Sequence, residues 1–190
     1  MSATMSADPR RRLNHVEMVY CPGERELAGR VFEVLGLRVV DRGGTWFSAL
    51  VDPDVADFSN NACYASEVTP EQWELEQSLA AALRSADDRV GAAARGYLAR
   101  LRYEPQRSFH FGIRYPSLDA LDATLARIEA VGDTDPELAG RMSLVRVFHP
   151  DEPDAAAPNM IQAFVHTDVV AAGVLAFGQH VELQWHLPAA

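Results

Sequence analysis

Residues 13–20 read LNHVEMVY, with apolar Val16, Met18 and Tyr20 alternating with His15 and Glu17. A period of two puts one set on each face of a β-strand. Cys21-Pro22-Gly23 ends the run, after which Leu27, Val31, Val34 and Leu35 recur at helical spacing until Gly36, a C-terminal stop. Strands are then predicted at 37–41, at 45–51 beyond the Gly43-Gly44 turn, and at 62–68. The first half reads β-α-β-β-β.

At Thr69-Pro70 the texture changes to that of a helix start with Pro in the first turn, its apolar side carried by Trp73, Leu79, Ala80 and Leu83. A second helix is predicted over 89–102 from Val90, Ala94, Tyr97, Leu98 and Leu101. The pair is expected to be a linker that packs on the outer sheet faces or stiffens the two halves. Residues 108–115, SFHFGIRY, then repeat the first strand: His110, Phe111, Ile113 and Tyr115 stand at a constant spacing from His15, Val16, Met18 and Tyr20. A helix over 118–130 leads to Gly132, the counterpart of Gly36, and strands follow at 143–148, 161–170 and 179–187. The expected fold class is α+β: two tandem βαβββ modules, 13–68 and 107–190, pairing curled mixed sheets into one cup. A flexible tail (1–12) precedes them and a helical linker (69–106) joins them.

Composition narrows the function classes. The 190 residues carry 17 Lys+Arg against 27 Asp+Glu, net −10, which argues against nucleic acid as a partner. With 48% hydrophobic and 23% charged residues the chain has the makings of a buried core. It lacks the roughly 20-residue apolar run of a membrane span. No apolar stretch follows the Arg10-Arg11-Arg12 cluster as in a secretory signal, and Cys21 and Cys63 are too few for a disulfide framework. A cytoplasmic protein with no membrane partner, monomeric or homodimeric, is expected.

The doubled βαβββ pattern, a histidine in the first strand of each half, and a last strand reading HVELQW together resemble the vicinal oxygen chelate superfamily, which has the glyoxalase, bleomycin-resistance and extradiol dioxygenase fold. The resemblance covers roughly 13–68 and 108–187. It implies one divalent metal ion (Fe, Zn, Ni, Mn or Co) in the cup, with His15, His110 and Glu182 at the ligand positions. Two imidazoles and a carboxylate suit such ions and leave open positions for a substrate. It also implies a metal-dependent glyoxalase-type isomerase or lyase acting on a small oxygenated substrate. The alternatives are an extradiol-type dioxygenase and a metal-free antibiotic-binding protein.

The residues leave several points open. A direct overlay of HVELQW on the last strand of the first half offers Cys63, and a shifted one offers Glu67 as fourth ligand or catalytic carboxylate. Glu67 also suits a cap of the helix at Pro70, and Cys63 suits an ordinary buried thiol. Glu17 shares the face of His15 and is a candidate base or supporting carboxylate. His180, Glu182, Gln184 and His186 share one face of the last strand. Together with Trp46 and His166, His180 and Gln184 are the expected cavity residues. The polar row implies a wet or ligand-filled space, because such groups buried without partners cost several kcal/mol.

Overall fold

The computed structural model describes residues 13–55, 58, 61–85, 89–155 and 157–188; the expected tail lies outside the described residues. The first half forms β1 (His15–Tyr20), α1 (Arg25–Val34), β2 (Arg38–Val40), β3 (Trp46–Leu50) and β4 (Ala62–Glu67). The linker forms α2 (Pro70–Arg84) and α3 (Arg89–Leu101). The second half forms β5 (His110–Arg114), α4 (Leu118–Glu129), α5 (Val131–Thr134), β6 (Met142–Phe148), β7 (Met160–Thr167), β8 (Val170–Ala171) and β9 (Gln179–His186). The fold is mixed α+β.

Each half builds an open mixed sheet in which the first strand runs parallel to the last. β1 pairs with β4 and β5 with β9, and the remaining strands add antiparallel, giving β2-β3-β4-β1-β8 and β5-β9-β7-β6. The expected β-α-β-β-β order is present in both halves. β8 is an addition to it. After β7 the chain bends at Asp168-Val169, and Val170–Ala171 pairs antiparallel with Val19 and Tyr20 of the first sheet. In the sequence these apolar residues continue the β7 run, which hides the change of sheet.

Local chemistry sets the helix ends. Gly36 takes φ +84°, and the Leu37 amide donates back to the Phe32 carbonyl, closing α1 with a glycine cap. Gly132 does not repeat this role: it lies inside α5, and the cap of α4 is Ala130 in right-handed geometry. Thr69 caps α2 by accepting the Gln72 amide, with Pro70 in the first turn. Ser117 caps α4 through the Ala120 amide.

Met18, Tyr20, Phe47 and Ala65 of the first sheet, Ile113, Val165 and Leu183 of the second, and the inner faces of α1 and α4 share one buried apolar cluster. Polar ties reinforce it: Arg30 bridges to Asp135 and Glu137, Arg141 to Glu24 and Asp168, and Tyr115 donates to the Leu35 carbonyl. This apolar side leaves the opposite face of each sheet for other work. No helix among the described residues is long and apolar enough to cross a membrane.

Candidate active site

Register assigns the faces of the second sheet. His110 lies opposite His180, Gly112 opposite Glu182 and Arg114 opposite Gln184; on the other flank of β9, His180 faces His166, Glu182 faces Phe164 and Gln184 faces Gln162. A β-sheet keeps such partners on one side, so Gln162, Glu182, His110, His180 and His166 form a continuous polar strip. Val181, Leu183, Ala163 and Val165 point the other way into the core.

Glu182 is 5% exposed and its two oxygens have separate partners. Oε1 accepts the side-chain amide of Gln162, and Oε2 lies 3.4 Å from Nε2 of His110. Nδ1 of His110 faces the Ser108 carbonyl at 2.9 Å, which fixes the ring proton on that nitrogen and turns Nε2 toward the carboxylate. Phe164 stands edge-on to the same imidazole, its centroid 5.3 Å away. Gly112 keeps the floor low: a Cβ there would sit 3.4 Å from the Gln184 amide nitrogen and 3.6 Å from Glu182 Oε2.

His180 and His166 complete the strip with centroids 5.0 Å apart. Burial, together with His166 and His110 alongside, pushes the His180 imidazole down to about 4, so it is neutral at pH 7. Burial also lowers His166, against the opposing pull of a hydrogen bond to the Phe177 carbonyl and of nearby Asp168. Over this pair lies a cavity of about 540 Å³ whose other walls include Leu98 and Leu101 of α3, Ser143, Leu175 and Phe177. The linker therefore covers the polar side of the second sheet, where the sequence suggested the outer side or a spacer.

The roof is held by a residue sequence reasoning passed over. Glu76 of α2 is 3% exposed and accepts the amides of Leu175 and Ala176 at 2.9 Å each, while Gln72 donates to Glu76 and to the Gly173 carbonyl. A lone Glu in an amphipathic helix carries no signal of this. Gln162 was legible only as part of the alternation that includes His166.

The first-sheet candidates fall elsewhere. His15 contacts Asn14, Tyr64 and, at 3.9 Å, Glu17, and its side chain is half-exposed. Tyr64 also meets Trp46, a residue 52% exposed. Glu67 pairs in register with Tyr20 and so shares its side, opposite to His15; its Oε2 accepts the Gly23 amide at 2.8 Å and ties the turn after β1. Cys63 is buried, its thiol pushed up to about 12 by desolvation.

The metal set implied by the resemblance requires His15, His110 and Glu182 around one ion. The structure brings His110 and Glu182 together and leaves His15 on a strand of the other sheet, among different neighbours. Among the described residues no group of three His, Cys, Asp or Glu side chains is placed to hold a metal ion. The three residues as arranged do not fit that centre.

No protein-family model matches the chain and no curated protein matches it. Among solved structures it is similar to a protein from Bacillus anthracis described provisionally as a glyoxalase family protein, with 13% identity over 93% of this chain and 96% of that one and a TM-score of 0.44. A likeness of that size adds nothing about the site, which rests on the geometry above.

Proposed function

We propose that the chain binds a small oxygenated molecule against the polar strip of the second sheet and transfers protons there through His110 and Glu182. The observation that carries this is the mutual placement of the two groups, each tied back on its far side and facing the other on its near side. With its other nitrogen committed to Ser108, Nε2 of His110 is the atom that accepts a proton from a carbon beside a carbonyl. Glu182 Oε2 is poised to stabilise the resulting imidazolium, and neutral His180 donates to or accepts from substrate oxygen without adding charge. Returning the proton to the neighbouring carbon or oxygen completes an isomerisation with no net redox change. The cavity under α3 adjoins this path at His180 and His166.

The second reading is the metal-dependent isomerase, lyase or extradiol dioxygenase that the resemblance implies. One observation favours it: carbonyl and amide partners behind a histidine and a carboxylate are the usual support of metal ligands. It needs a third protein ligand brought to His110 and Glu182.

Exchange of the C–H protons of hydroxyacetone in D2O, followed by proton NMR, tests the first reading. Wild-type protein treated with chelator is expected to accelerate exchange, with His110→Ala and Glu182→Gln each losing about 100-fold or more. No acceleration by the chelated wild type overturns it. Stoichiometric metal in protein purified without chelator, lost in His110→Ala together with the activity, establishes the second reading instead.

A further inference from the structure

A second cleft, of about 730 Å³, opens where the two halves meet, at the ends of β5 and β9. Its floor is apolar: Leu35 at the end of α1, Ile113 of β5, Trp185 of β9, Pro116 in the turn before α4, and Ala123 of α4. Ile113 and Trp185 belong to the core-facing side of their strands, whereas Arg114 and His186, the last residues of β5 and β9, belong by register to the side of the His110–Glu182 strip and meet the cleft at the strand ends.

Its charges are sorted by half. Arg114 and Arg127 stand on the second half's side, Asp52 and Asp54 on the first half's side. Arg127 is a fixed donor: Nε bonds the Val34 carbonyl at 3.2 Å and Nη2 bonds Thr124 Oγ1 at 2.7 Å. Its Nη1 has no acceptor among the described residues. Gly36 leaves the space for this guanidinium, since a Cβ there would lie 3.0 Å from Nη2. The facing loop is equally fixed. Asn61 bonds the backbone of Asp52 in both directions, and Arg38 donates to the Pro53 and Val55 carbonyls.

Neither aspartate forms an ion pair with either arginine among the described residues, although all four line one cleft. Two opposed charge groups beside an apolar floor, one anchored by the held Arg127 and the other carried on a held loop backbone, match one chemistry. We infer that this cleft binds a zwitterionic amino-acid-like molecule, its carboxylate at Arg127 and Arg114, its ammonium at Asp54 and Asp52, and its apolar body on Trp185. Guanidinium forks suit a carboxylate, and an indole face suits both a ring and a nearby cation. The site is independent of the proton-transfer reading.

Isothermal titration of the full chain with L-phenylalanine, 3-phenylpropanoate and phenethylamine tests it. L-phenylalanine is expected to bind, with each singly charged analogue at least tenfold weaker. Arg114→Gln and Asp54→Asn, at exposed positions whose side chains hold no other element, are expected to weaken L-phenylalanine at least tenfold, while His110→Ala leaves it unchanged. Failure of L-phenylalanine to bind, equal binding of 3-phenylpropanoate, or indifference to both charge substitutions overturns the proposal.

Discussion

The imidazoles of His166 and His180 face each other across β7 and β9 at 5.0 Å, both held below their ordinary range, chiefly by burial. A histidine whose folded-state value lies below its unfolded value of about 6.5 binds fewer protons folded than unfolded between the two values. Stability from this pair is therefore fully present above pH 6.5 and is lost as the pH falls toward 4. Urea unfolding at pH 7 and pH 4.5 is expected to show a loss on the order of 1–2 kcal/mol assignable to His180, discounted for partial solvent screening. Substitution of His180 by Gln is expected to flatten that part of the pH profile; an unchanged slope counts against the assignment.

Glu76 accepts two backbone amides of the roof, those of Leu175 and Ala176. Glu76→Ala leaves the Leu175 and Ala176 amides unpaired, at a cost of about 2–4 kcal/mol for the two, and Glu76→Gln restores one acceptor and part of that loss. Hydrogen exchange reads the effect directly. The amides of Leu175 and Ala176 are expected to lose protection in the Ala variant before those of the β7–β9 ladder.

Tyr115 directly follows β5 and donates its hydroxyl to the Leu35 carbonyl of the first half at 2.5 Å. Removing the hydroxyl in Tyr115→Phe is expected to destabilise by about 1–2 kcal/mol, because the α1 terminus loses a buried partner. For a chain of this size that lowers Tm by about 2–8 °C in a calorimetric scan.

Gly178 sits at φ +67°, ψ −171°, where the roof turns back into β9. A Cβ there would meet both the His166 ring and the Thr167 carbonyl. Gly178→Ala combines left-handed strain with a backbone clash and is expected to cost about 2 kcal/mol or more by urea unfolding. It is also expected to disturb the His166 imidazole resonances, whereas Gly23→Ala, with open space around it, leaves them in place.

Period-two alternation made the polar faces of β1, β5 and β9 readable, because apolar burial enforces it residue by residue. It placed His110, Glu182 and His180 correctly on one side. What alternation does not encode is which faces meet. His15 and His110 hold equivalent positions in the repeat, yet equivalence under a repeat is not proximity, and their strands belong to different sheets. Glu67 shows the same limit at one residue: its direction follows from pairing with Tyr20, a register set by the parallel β1–β4 ladder rather than by its own neighbours in the chain. The roof over the site was illegible for a related reason. Its key contact, from Glu76 to Leu175, joins an unremarkable helix position to backbone amides 99 residues away.

The short strand β8 has a consequence for how the chain can be taken apart. Its two residues are encoded in the second half but complete the edge of the first half's sheet, beside β1. A cut within the linker would leave the fragments hooked to each other by that strand, as in a split protein that reassembles. Expressed alone, residues 13–68 would present the β1 backbone as an open, sticky edge. The duplicated halves are thus no longer interchangeable copies: one lends a strand and the other receives it.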